Sequence, residues 1–164
     1  PPYGESNRYH MAISAEPLKI SFRPPGQDDW NYILDSWKKS FRTAVGFHTP
    51  SYYAEISDRI EHITDTPGTV YVLAVDPDDP DFILGWLCHT NNVVHYLFVR
   101  QCFRRAHVAT RLLTNHIDTD KPITCTSWTR VCEPANKRSG GVLRYEPTRL
   151  EPKRKKWKSK SKAS

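Results

Sequence analysis

The 164 residues predict an α/β domain whose mixed, mostly antiparallel sheet is flanked by helices. Three observations carry this. Short apolar runs bounded by turn residues recur at 18–23, 70–75, 82–88, 93–99 and 123–128, the mark of strands. Apolar residues at helical spacing fill 30–41, 50–63 and 108–117, giving each segment one face to bury. The connection between the second and third strands is a tight turn that forces antiparallel pairing, whereas a helical crossover at 100–121 permits parallel pairing.

In the first strand, Leu18, Ile20 and Phe22 alternate with Lys19, Ser21 and Arg23 until Pro24-Pro25-Gly26 stops the pattern. Asp28 and Asp29, either suited to accept hydrogen bonds from the free amides of a helix start, precede a buried face of Trp30, Ile33, Leu34, Trp37 and Phe41. A second helix begins at Thr49-Pro50, a hydroxyl cap followed by the one helical position where proline costs nothing. It carries Tyr53, Ile56, Ile60 and Ile63 on one side and ends at Pro67-Gly68.

The runs 70–75 and 82–88 are predicted to be adjacent antiparallel strands joined by a solvated turn over 76–81, whose four carboxylates stay in water. A calcium loop is excluded there by Pro77, Pro80 and the missing bidentate Glu. A fourth strand at 93–99 leads to a helix with Val108, Leu112, Leu113, His116 and Ile117 on one face. A fifth strand at 123–128, a short helix at 132–138 and a last strand at 142–145 complete the order, without an internal repeat.

Composition narrows the function classes. The net charge of +6 is uneven: Lys153, Arg154, Lys155, Lys156, Lys158, Lys160 and Lys162 leave residues 1–152 with 17 basic against 18 acidic side chains. The expected organisation is therefore an irregular arm at 1–17, one domain at 18–150 and a basic, disordered tail at 151–164. That tail suits nucleic acid, with Trp157 able to stack on a base, and equally suits a solvated tail that aids solubility. No run approaches the length of a membrane span and residues 1–10 lack the apolar core of a secretory signal, so a soluble cytoplasmic chain is expected. Cys88, Cys102, Cys125 and Cys132 form no Cys-x-x-Cys pair and the seven histidines are scattered, so four reduced thiols and no metal site are expected.

The segment 93–113 carries the chemistry. A buried strand runs into a loop holding Arg100, Arg104 and Arg105 and then into an amphipathic helix. A helix start presents unpaired amides and a positive dipole end, and forked guanidinium donors match phosphate oxygens, so the unit suits a diphosphate. The plainer alternative is a surface crossover with solvated arginines.

This segment, with the element order around it, resembles the GNAT superfamily of acetyl-CoA-dependent N-acyltransferases over roughly residues 18–150. The family's motif, Arg/Gln-x-x-Gly-x-Gly/Ala after an apolar strand, falls on Arg104-Arg105-Ala106-His107-Val108-Ala109. Arg104 and Ala109 match, with Val99 and Phe103 before and Leu112-Leu113 after. His107 replaces the first motif glycine, where a side chain either crowds the cofactor or donates to a phosphate.

The resemblance implies a GNAT-like fold in which the strands at 93–99 and 123–128 splay. The pantetheine arm would lie between them against the backbone of Leu97, Phe98 and Val99. The diphosphate would be held by Arg104, Arg105, His107, Val108, Ala109 and Thr110. It implies direct attack of an amine on acetyl-CoA, with no acyl-enzyme and with positioning as the main source of rate. For the base, His95 on the fourth strand has an ordinary pKa near 6.5. For the acid, the family's Tyr position after the short helix holds no Tyr here, and Tyr145 is the nearest substitute. The rival expectation is a catalytically inactive binding or structural protein of the same fold, of the kind carried by bacteria and their viruses, with its tail on nucleic acid or an assembly. An α/β RNA-binding domain is disfavoured by the missing aromatic-basic strand motif.

Overall fold

The computed structural model describes residues 16–44, 49–129, 132–147 and 149. The basic tail and nearly all of the expected N-terminal arm lie outside them. In chain order the elements are β1 (Ser21–Arg23), α1 (Trp30–Ala44), α2 (Pro50–Asp65), β2 (Thr69–Asp76), β3 (Asp79–Thr90) and β4 (Val93–Val99). They continue with α3 (Val108–His116), β5 (Ile123–Cys125), α4 (Cys132–Arg138) and β6 (Leu143–Tyr145). One six-stranded sheet runs β1-β2-β3-β4-β5-β6, antiparallel from β1 to β4 and parallel from β4 to β6. This is the mixed, mostly antiparallel sheet flanked by helices that the sequence predicts.

Each face of the sheet has its own core. Ile33 and Trp37 of α1 and Ile56, Ile60 and Ile63 of α2 pack on Tyr71, Leu73, Val75, Trp86 and Tyr96. On the opposite face, Val108 and Leu112 of α3 cover Val72, Ala74, Leu84, Leu87, Val94 and Ile123. The rings of Trp37, Trp86 and Tyr96 stand 5.2 to 5.4 Å apart, tilted pairs that add about 1 kcal/mol each beyond the area they bury. Trp86 Nε1–H donates to Ser36 Oγ at 3.0 Å, which satisfies the indole inside this cluster.

Local chemistry explains the boundaries. Thr49 Oγ1 accepts the Tyr52 amide and Pro50 opens α2, as its sequence predicts. Asp29 works backwards instead: its carboxylate accepts the Gly26 amide at 2.7 Å and grips Arg23 at 2.6 and 3.1 Å, tying the end of β1 to the start of α1. β1 is shorter than its alternation suggests, because its register with β2 begins at Ser21↔Val75 and β2 ends one residue on, at Asp76; Arg111 of α3 donates instead to the carbonyls of Leu18 and Ile20, at 2.8 and 3.4 Å. The expected six-residue turn at 76–81 is corrected as well: β2 and β3 extend to Asp76 and from Asp79, leaving Pro77-Asp78 as the turn. Asp76 Oδ1 accepts the Asp78 amide at 2.9 Å, so a carboxylate builds the turn rather than merely solvating it.

Candidate functional site

The site begins with an irregularity in β4. Tyr96 pairs with Cys88, but Val94 pairs with His89, so His95 is an extra residue with no partner on β3. Such a bulge shifts the alternation by one. Val94 accordingly belongs to the core beneath α3, while Tyr96, also even-numbered, belongs to the core beneath α1 and α2.

The same shift acts on the main chain. Arg100 N–H donates to Leu84 O at 2.9 Å, and Phe98 O lies over Gly85, so residues 98 and 100 turn toward β3. Alternation then leaves the peptide groups of Leu97 and Val99 facing the other edge. On that edge β5 meets β4 only at Val93↔Thr124 and Val94↔Cys125, with a last bond from Thr126 N–H to Val94 O at 3.0 Å. β5 therefore ends at Cys125, short of the 123–128 expected, and beyond Thr126 the two strands part as a fork.

The start of α3 lies at the open end of that fork. Its first intrahelical bond runs from Arg111 N–H to His107 O at 2.9 Å, leaving the amides of Val108, Ala109 and Thr110 without helical partners, and the N-cap His107 supplies no side-chain bond. His107 has φ +61° and Arg105 φ +71°, the left-handed backbone for which glycine is best suited. The loop thus keeps a glycine-type course at the motif position where the sequence has histidine. The His107 side chain is exposed, as are Arg104, Arg105 and Thr110, while Val108 is buried and Ala109 half-buried. An uncapped helix start beside two exposed arginines fits a diphosphate.

Arg100 departs from the expected anion loop. Its guanidinium sits 4.8 Å from the Tyr32 ring centre and 4.6 Å from that of Phe82, and its Nε–H donates to Ile83 O. Arg100 is a structural cation between two rings, leaving Arg104 and Arg105 as the cations of the loop.

The two candidates for proton transfer stand on β4 and β6, the strands on either side of β5. His95, expected as the base, is fully buried; Nε2 lies 3.0 Å from Thr90 Oγ1 and Nδ1 3.0 Å from Thr126 Oγ1. Burial, reinforced by His89 and Arg59, pushes its pKa down to about 4 from the ordinary 6.5. Both ring nitrogens are thus engaged by hydroxyls, and the imidazole expected as a base is turned into the protein at the bulge. Tyr145 stands on β6, 52% exposed, its ring 5.8 Å from that of Trp128. Leu97, Phe98 and Val99 line the β4 side of the fork and are half-buried.

Gly85, Thr90, Thr126 and Arg59 are shaping residues that sequence reasoning missed. A lone glycine inside an apolar strand run was an available signal for close backbone approach; nothing in the spacing marked the others. Cys88 and Cys125 are buried thiols whose pKa values burial raises to about 12 and about 11, and all four cysteines are unpaired. A depression of about 450 Å³ lined by Gly68, Val70, His89, Asn91 and Lys121 opens at the β3–β4 turn, the far end of β4 from the fork. Among the described residues no group of three His, Cys, Asp or Glu side chains is placed to hold a metal, and no helix is long and apolar enough to cross a membrane.

The mixed sheet, the parting of β4 from β5 and the uncapped helix start agree with the fold that the sequence resemblance implies. No protein-family profile and no curated protein sequence matches the chain. Among solved structures it is similar to apo YjaB from Escherichia coli, at 19% identity and TM-score 0.45 over 60% of this chain and 65% of that one. It is similar also to the PaiA N-acetyltransferase from Thermoplasma acidophilum in complex with coenzyme A, at 12% identity and TM-score 0.43 over 60% of this chain and 69% of that one. A third is AAC(6')-Iy in complex with a CoA bisubstrate analogue, at 11% identity and TM-score 0.43 over 78% and 91%. The chain spans just under two thirds of the YjaB structure. Likenesses of this size decide nothing about activity.

Proposed function

We propose that the chain is an N-acetyltransferase that binds acetyl-CoA in the β4–β5 fork and acetylates an amine by direct attack. The observation that carries this reading is the meeting, at one end of the sheet, of an open β4 edge and an uncapped helix start. The amides of Val108, Ala109 and Thr110, flanked by Arg104, Arg105 and His107, would hold the diphosphate. The free peptide groups of Leu97 and Val99 would hydrogen-bond the amide-containing arm as a strand would, with Phe98 between them fixing the wall. When bound, acetyl-CoA supplies an acyl group activated as a thioester. The chain's own contribution is orientation and exclusion of water. Tyr145, the exposed phenol beyond β5, is the candidate proton donor to the departing thiolate.

Calorimetric titration of acetyl-CoA tests the reading. Micromolar binding by the wild type, lost in the double variant Arg104→Ala/Arg105→Ala, supports it, and release of free thiol across a panel of amines identifies the acceptor class. The engaged imidazole of His95 favours the second reading, an inactive binding protein of the same fold; binding by neither the wild type nor His107→Gly leaves that one standing. The basic tail is proposed to lie on nucleic acid. Removal of residues 153–164 should weaken that affinity and flatten its dependence on salt.

A further inference from the structure

A chain of side-chain hydrogen bonds crosses the sheet beneath the fork, and its direction can be worked out. Thr69 Oγ1–H donates to Ile63 O at 2.8 Å, a carbonyl that can only accept. Thr69 therefore accepts from Thr90 Oγ1 at 3.1 Å, since each hydroxyl has one proton. Thr90, having given its proton, accepts from His95 Nε2–H at 3.0 Å. The neutral imidazole then accepts at Nδ1 from the Thr126 hydroxyl at 3.0 Å. Arg59 of α2 completes the chain by donating to the carbonyl of Thr126 and, at 3.4 Å, to that of Pro147.

The chain links α2, β2, β3, the β4 bulge and the residue at which β5 leaves β4. Thr126 is held to β4 at two points: its amide by Val94 O and its side chain by the bulged His95. We infer that His95, as the neutral Nε2–H tautomer, is a positioning residue that fixes Thr126 and thereby sets where β5 parts from β4 and the fork begins. Its part in acyl transfer rests on the function proposed above; its part in fixing the fork does not. The role answers the absence of a free ring nitrogen: an imidazole with a donor at one end and an acceptor at the other bridges two hydroxyls across the bulge, which an aliphatic side chain cannot do.

Two-bond proton–nitrogen NMR of the full chain should show His95 protonated at Nε2 and bare at Nδ1; the opposite tautomer overturns the inference. Amide exchange gives the second readout. In Thr126→Val, which keeps the shape and loses the donor, exchange at position 126 should quicken about tenfold while the β3–β4 amides keep their protection, and Thr126→Ser should restore it. Unchanged exchange in Thr126→Val overturns the inference. Should that variant not fold, the same measurement on His95→Gln, which shortens the bridge, decides the matter. In the transferase, Thr126→Val should raise KM for acetyl-CoA several-fold with little change in kcat, and Thr126→Ser should reverse this. A wild type without affinity for coenzyme A overturns the proposed transferase and leaves the tautomer and exchange results to decide the fork.

Discussion

The carbonyl of Phe98 lies so close over Gly85 that a Cβ on that glycine would stand 2.5 Å from the oxygen and 3.3 Å from both Val99 Cα and Val108 Cγ1. Real Cβ atoms do not approach backbone so closely. The missing side chain lets the open half of β4 and the first residue of α3 rest on β3 together, bringing fork and helix start to one place. Gly85→Ala is therefore expected to destabilise the fold by about 2–3 kcal/mol, as overpacking of a filled core does, and urea unfolding measures it.

The depressed pKa of His95 makes stability depend on pH with a definite sign. The unfolded chain takes up a proton near the ordinary 6.5, while the buried imidazole resists protonation until about 4. Stability is full above 6.5 and falls as pH drops from 6.5 to 4, by at most about 3 kcal/mol. Below that window Asp29, whose carboxyl the Arg23 bond holds under its ordinary range, adds a further loss as it is protonated. Urea midpoints compared at about pH 7.5 and pH 4.5 test the first effect. In His95→Gln that part of the slope should vanish.

The left-handed backbone at His107 predicts an unusual gain. A side chain at φ +61° is strained by about 1–2 kcal/mol, partly offset by the greater chain entropy that glycine loses on folding. His107→Gly should therefore stabilise the protein by about 0.5–1 kcal/mol, read as a higher thermal midpoint. A fall in that midpoint would show that the imidazole makes a compensating contact.

Arg100 and Arg104 should separate under mutation although they sit four residues apart in one basic loop. Arg100→Met removes a guanidinium held between two rings and should cost about 2 kcal/mol of stability, with coenzyme affinity unchanged. Arg104→Ala, at an exposed position, should leave unfolding within about 0.5 kcal/mol and weaken acetyl-CoA binding. Paired unfolding and titration of each variant check this.

Much of this architecture was readable from local pattern. Thr49-Pro50 marked the start of α2, the run 93–99 matches β4, and residues 132–138 and 142–145 contain α4 and β6. Spacing could not show the bulge at His95, because both Val94 and Tyr96 are apolar and either face suits them. Nor could it show that Arg100 folds back on Tyr32, a residue 68 positions earlier in the chain.

Periodicity and capping are properties of a few consecutive residues, so the chain's own order of letters was enough to name its strands, helices and cation-rich helix start. The place where β4 and β5 separate is a property of register, one extra residue counted against a partner strand, and register exists only once the strands have met. For the same reason the surroundings of His95 were decided by assembly: its partners stand 5 and 31 residues away, and the imidazole that the isolated strand offered as a base is buried with a hydroxyl at each ring nitrogen.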